Sequence, residues 1–130
     1  MSYDIFPCRY VNGEPAPLDR DIALEVLGPY VTARDPEGTF LQLAAGEYQE
    51  ADVYLGTESS FMISHFGGER IMDLISELLQ RLEAVLLLPG GTVLINRDED
   101  GKHLPPNMRD EWSVVVASTG EAITRAIRAS

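Results

Sequence analysis

Cysteine is almost absent from this chain, since Cys8 is the only one among 130 residues. A single cysteine cannot form an intrachain disulfide, so the fold depends on its hydrophobic core. A reducing compartment suits such a protein, and we expect the cytoplasm. Cys8 shares a strand face with Phe6 and Tyr10, which predicts a small core residue or a half-buried hydrophobe. A reactive thiol would need a cationic neighbour.

Long apolar runs are missing too. The longest covers residues 84–88, far fewer than the roughly 20 that a helix needs to span a bilayer. A secretory signal needs an unbroken apolar stretch, whereas Asp4, Arg9 and Glu14 interrupt the start of the chain. We therefore expect neither a membrane span nor a targeting segment.

Basic residues are scarce. Ten Lys and Arg stand against 21 Asp and Glu, which gives a formal net charge of -11. Such a surface repels phosphate backbones and anionic lipids, so we expect no nucleic-acid or membrane partner. A basic protein would be attracted, although acidity can also serve solubility alone.

Catalytic motifs are also lacking. The sequence holds no His-x-x-x-His, no Gly-x-Ser-x-Gly and no Walker-type glycine loop. We therefore expect no cofactor and favour a non-enzymatic role.

The strongest pattern that is present predicts a helix from Glu69 onward. Apolar residues recur at the i, i+3, i+4 and i+7 positions of one buried stripe. They are Ile71, Leu74, Ile75, Leu78, Leu79, Leu82 and Val85. We expect Leu78 and Leu79 to be among the most buried residues. The following run, Val85–Leu88, fits either a further helical turn or a buried strand.

Most other segments favour strands. Residues 39–44, 48–55 and 60–66 predict an antiparallel meander, because short turns separate them. The nearly continuous apolar run at 112–117 predicts a central strand. Residues 96–111 predict a long polar loop.

The predicted elements follow the order β-α-β-β-β-α-β-β-α. This order is typical of the α+β class, with a mixed or largely antiparallel sheet and helices packed on one face. A chain of 130 residues with 45% hydrophobic content suits one domain, residues 1–130.

The segment around residue 50 is unusually acidic and predicts a partner-binding surface. In a strand Tyr48, Glu50, Asp52 and Tyr54 share one face, while alternate residues turn to the core. Carboxylates bracketed by tyrosines suit recognition of Lys or Arg. A merely solvated strand face explains the same residues and stays open as the alternative.

A second candidate site lies at the predicted strand-to-helix junction. His65, Gly67, Gly68 and Glu69 stand where backbone N–H groups at a helix start can bind an anion. A small-ligand or catalytic site is one interpretation. The other is a structural histidine, because no partner base or nucleophile is evident.

A fragment of a calcium-loop pattern occupies Asn96, Asp98 and Asp100. The pattern fails at its twelfth position, where Asn107 replaces the bidentate Glu. We expect no metal site, with these three residues as a weak candidate and binding no tighter than millimolar.

These observations favour a binding module that meets a basic protein. Small, acidic proteins that neutralise a basic partner, such as immunity proteins of bacterial toxins, share this general character. Two alternatives stay open: a small-ligand protein or enzyme near His65, and a structural homo-oligomer.

Overall fold

A computed structural model describes residues 3–56 and 58–130 of the chain. The nine strands in these residues are β1 (Phe6–Val11), β2 (Glu14–Ala16), β3 (Val31–Arg34), β4 (Phe40–Gly46), β5 (Gln49–Tyr54), β6 (Met62–Gly67), β7 (Val85–Leu88), β8 (Thr92–Ile95) and β9 (Ser113–Val116). The helices are α1 (Arg20–Leu27), α2 (Glu69–Leu82), α3 (Pro106–Glu111) and α4 (Gly120–Ala129), with 3-10 turns at Gly28–Tyr30 and Asp98–His103.

The strands form two sheets. A five-stranded sheet has the order β2-β1-β7-β8-β9, and a four-stranded sheet has the order β3-β4-β5-β6. Within the described residues every pairing is antiparallel except that of β8 with β9. Antiparallel bridges from Ile5 to Ile63 and from Cys8 to Ser60 join the two sheets. The predicted α+β class, with its mixed and largely antiparallel sheet, is confirmed.

Helix α2 organises the larger core, as its apolar stripe predicts. Leu78 is 0% exposed and Leu79 is 1% exposed, so their predicted burial is confirmed. The helix packs against α1, α4 and strands β4 to β6. At Gly120 a Cβ atom would lie 2.6 Å from the backbone nitrogen of Asp73, so only glycine allows α4 to approach α2 this closely.

A smaller core lies on the other face of the five-stranded sheet. Strand β7 serves both cores by alternation, since Val85 faces the smaller core and Leu86 the larger one. Met108 from α3 and Leu104 cover this second face. The open question about Val85–Leu88 is therefore resolved as a strand buried on both sides.

Two predictions about the C-terminal third are wrong. Residues 96–111 are mostly helical, with the 3-10 turn Asp98–His103 and helix α3, because Leu104 and Met108 have a sheet face to cover. The strand predicted at 112–117 is an edge strand, β9, whose residues Ser113–Val116 are all exposed. Its apolar run reflects strand propensity, not burial on both faces. Strands β2 and β3 were not predicted.

Helices are short throughout the part of the chain that the structure describes. None of them combines the length and apolar character needed to cross a membrane.

Candidate functional site

Strand β5 lies between β4 and β6 and presents two chemically different faces. Ala51 and Val53 are 1% exposed and pack into the core beneath α2. Glu50, Asp52 and Tyr54 alternate with them and face away from α2. Glu50 is exposed, and the other two are partly buried. The predicted grouping of these three residues on one strand face is therefore present.

Neighbouring strands position these side chains. Phe40 of β4 pairs with Tyr54, and the two ring centroids lie 4.9 Å apart. Gln42 stands opposite Asp52. The aromatic pair fixes the Tyr54 ring along one side of the acidic row.

Tyr48 does not belong to the strand, contrary to the sequence prediction. It occupies the turn between β4 and β5 with a φ of 61° and a side chain left almost free, the residue being 85% exposed. A bulky residue in the left-handed region is uncommon and strained. Tyr48 therefore lies next to the acidic row through the turn and not through strand alternation. We call Tyr48, Glu50, Asp52 and Tyr54 the acidic sheet face.

A bulge in β6 brings the second candidate site to this same surface. The β5–β6 register shifts between Glu50, which pairs with Gly67, and Asp52, which pairs with Ser64. The extra residue is His65, at a φ of 50°. Its Nδ1 lies 3.0 Å from Oδ2 of Asp52, and because a carboxylate only accepts, Nδ1 donates this bond. The His65 side chain remains 66% exposed.

The start of α2, at Gly67, Gly68 and Glu69, is capped by a hydrogen bond to a side chain of the same protein. Gln49 accepts a hydrogen bond through Oε1 from the backbone nitrogen of Arg70, at 2.9 Å. Gly68 has a φ of 100°, and a Cβ there would lie 2.1 Å from that oxygen. Glycine is needed because Gln49 caps α2 at close range. Glu69 is the exposed first residue of the helix.

Two side chains of the calcium-loop fragment form hydrogen bonds with backbone atoms. The Asn96 amide donates to the carbonyl of Ala84 at 3.3 Å, and Asp100 accepts from the backbone nitrogen of Arg97 at 3.1 Å. Asp98 begins the 3-10 turn. In residues 3–56 and 58–130, no group of three or more His, Cys, Asp or Glu residues is arranged to hold a metal ion.

Cys8 is buried, as its strand position predicts. Burial raises the pKa of its thiol, which a bond from Sγ to Oγ of Ser60, at 3.5 Å, offsets only in part. Burial and the neighbouring Cys8 also raise the pKa of Tyr10. Such a thiol is poorly suited to nucleophilic chemistry.

The structure also contains a cleft that sequence reasoning missed. It has a volume of about 630 Å³ and lies where β8 and β9 end, so we call it the β8–β9 cleft. Its lining includes Arg9, Tyr10, Gln80, Glu83, Asn96, Arg97, Asp100, His103 and Ser118. These residues are far apart in sequence. The sequence signal nearest to this cleft is the polar segment at 96–100, whose spacing indicates calcium ligands and not a cleft.

Comparisons of the chain with protein-family models, with curated proteins and with solved structures found no match. Function is therefore inferred from the geometry of this chain alone.

Proposed function

We propose that this protein binds a basic partner protein through the acidic sheet face. The observation that carries the proposal is Tyr48, a large aromatic residue that is 85% exposed at a strained turn position, directly before the strand that carries Glu50 and Asp52. Strain of this kind persists where the rest of the fold enforces it, and it clusters at functional sites. Exposed tyrosine supplies rigid contact area, which makes it a frequent interface anchor.

The charge of the surface supports the same partner. Within the described residues, no Lys or Arg forms an ion pair with Glu50 or Asp52. His65 is hydrogen-bonded to Asp52, and Glu50 is exposed. A net charge of -11 adds a long-range field that steers a cationic protein toward the surface. The benefit falls as salt screens it.

The function that follows is that of a small acidic binder that covers and neutralises a basic surface, acting in the cytoplasm. The single buried cysteine suits a reducing compartment. No catalytic step is needed for this role.

The test is affinity capture from native cell extract at low and high salt, followed by association kinetics with the identified partner. Replacing Glu50 with Gln and Asp52 with Asn should slow association at least about tenfold at low salt. The matched control replaces Asp110 with Asn and Glu111 with Gln on α3, which removes the same charge from another exposed surface. Binding that is indifferent to salt and equal in both double variants would refute the proposal.

A second candidate function rests on the His65–Asp52 pair. A histidine whose Nδ1 bonds a carboxylate keeps Nε2 free as a base, the arrangement that general base catalysis uses. The site would act on a small ligand that meets the exposed His65 ring, since Gln49 already covers Gly68. Loss of a measured turnover in a His65→Gln variant that still binds the basic partner would favour this function over the first.

A third candidate, a homo-oligomer, rests on β9. Val114, Val115 and Val116 are 39%, 38% and 48% exposed. In the described chain no strand pairs with the outer edge of β9. Sedimentation analysis tests it: Val115→Lys should dissociate an assembly, whereas Leu24→Lys on exposed α1 should not. A monomeric wild type would exclude this function.

A further inference from the structure

We propose that the β8–β9 cleft binds a small organic oxyanion, a carboxylate or a phosphate, held by Arg9 and Arg97. The inference is independent of partner binding at the acidic sheet face. The volume of the β8–β9 cleft, about 630 Å³, lies within the range of small-molecule sites.

The topology favours a site at this place. Strands β8 and β9 are the parallel pair, so their carboxyl ends point to the same edge of the sheet. Asn96 and Arg97 follow β8, and Ser118 follows shortly after β9; all three line the cleft. Ligands in open sheets bind outside the carboxyl ends of parallel strands, since chain segments diverge there and leave a crevice.

The cleft concentrates donors in an otherwise acidic protein. Two of the chain's ten basic residues and one of its two histidines line it. A guanidinium offers paired N–H groups that match a carboxylate or phosphate. His103 accepts a hydrogen bond at Nδ1 from the backbone nitrogen of Asn12, at 3.1 Å. The neutral ring therefore carries its proton on Nε2 and adds a donor.

Both arginines are at present paired with carboxylates that can be displaced. Arg9 lies 3.2 Å from Glu83, whose side chain is 76% exposed, and Arg97 lies 3.1 Å from Glu99, whose side chain is 62% exposed. Pairs this exposed contribute little to stability. Asp100 differs, because its Oδ2 accepts from the backbone nitrogen of Arg97; it stays in place, with Oδ1 3.5 Å from the Arg97 guanidinium, which it would share with the ligand. A bound anion would replace Glu83 and Glu99.

Glu83 gives the clearest indication that the cleft binds an anion. It ends α2 in the left-handed conformation, with a φ of 54° and a ψ of 43°, where glycine is the usual residue. Its carboxylate accepts a hydrogen bond from Arg9, and both residues line the cleft. Glu83 therefore occupies the position of the ligand's own acidic group and acts as a built-in competitor.

Because Glu83 competes with the ligand for Arg9, substitutions of these two residues should change anion binding in opposite directions. In amide-resonance titrations of the folded protein with inorganic phosphate and with citrate, the amides of Asn12 and Arg97 should shift to saturation with at least one anion. Arg9→Gln should weaken that binding about tenfold, the loss of one charge-assisted contact. Glu83→Gln should strengthen it severalfold.

The matched control is the pair formed by Arg125 and Glu121, an exposed ion pair on α4. Arg125→Gln and Glu121→Gln cause the same charge changes away from the cleft, so they should leave the anion affinity unchanged. If Arg9→Gln fails to fold, Arg9→Lys keeps the charge, loses the paired donors and should still weaken binding. Absence of saturable shifts with both anions, or equal effects of the Glu83 and Glu121 variants, would overturn the proposal.

Discussion

The acidic sheet face and the β8–β9 cleft differ in how the chain builds them. The sheet face comes from one strand and the turn before it, so its residues are near neighbours in sequence. The cleft is assembled from segments around residues 10, 83, 97 and 118. Side-chain alternation along a strand is local, whereas a cleft exists only after distant strand ends have met. The first could be anticipated from the sequence, and the second could not.

The largest expected effect comes from the core that underlies the sheet face. Leu78→Ala removes a side chain that is 0% exposed and should lower the free energy of unfolding by about 2 to 5 kcal/mol, through lost transfer energy and a cavity. Denaturant melts measure it. Glu77→Ala, on the same helix, serves as the surface control. If Leu78→Ala left the denaturation midpoint unchanged, neither the acidic sheet face nor the β8–β9 cleft would depend on this core.

The second-largest expected effect distinguishes the smaller core from the larger one. Met108→Ala opens the smaller core, where Met108 is 7% exposed, and should cost about 2 kcal/mol, at the low end for a buried methionine. Hydrogen exchange should show lost protection at β8 and the 3-10 turn, with β4 and β5 less affected. Uniform loss across both sheets would show that the two cores open as one unit.

One substitution at the acidic sheet face should stabilise the folded protein. Tyr48→Asn relieves the left-handed strain, since Asn tolerates that region, and should raise stability by about 0.5 to 1 kcal/mol. The same variant should bind the basic partner more weakly, because the exposed ring is lost. A gain in stability with full binding would contradict the role given to Tyr48.

Glu83 is the corresponding strained residue in the cleft. Glu83→Gly should raise the thermal midpoint slightly, by the equivalent of about 0.5 kcal/mol, because relief of the left-handed strain outweighs an exposed ion pair. Thermal melts check the sign. A clear loss of stability would mean that the bond from Arg9 is worth more than an exposed pair should be.

The smallest effect concerns pH at the β3–β4 turn of the four-stranded sheet. Hydrogen bonds from Thr39 and Phe40 hold the pKa of Asp35 below its ordinary value of 3.8. A carboxylate with a lowered folded pKa stabilises the protein above its unfolded pKa, and the stabilisation is lost as pH falls through the folded pKa. Asp35→Asn should therefore lower the thermal midpoint slightly at neutral pH, and the difference should shrink as the pH falls below the ordinary pKa of 3.8. A difference independent of pH would assign the effect to geometry instead of charge.

Most of the fold was accessible from local patterns. The stripe from Ile71 to Leu82 requires a helix, and the three alternating segments before it require a meander, because each has an apolar face that must be buried. The errors lie where burial depends on a distant partner. The valines of β9 predict a central strand, yet the pairing order leaves them at the edge. Helix α3 escaped prediction because its single buried methionine gives no periodicity.

The sequence by itself determined the α+β class, the buried stripe of α2, and the placing of Glu50, Asp52 and Tyr54 on one strand face, since all three follow from residue spacing along a single element. Only the tertiary structure decided that His65 bonds Asp52, because a bulge in β6 sets that register. It alone also brought Arg9 and Arg97 to one cleft. Contacts of this kind depend on how strands are ordered, and strand order is set by the packing of the whole chain and not by any segment of it.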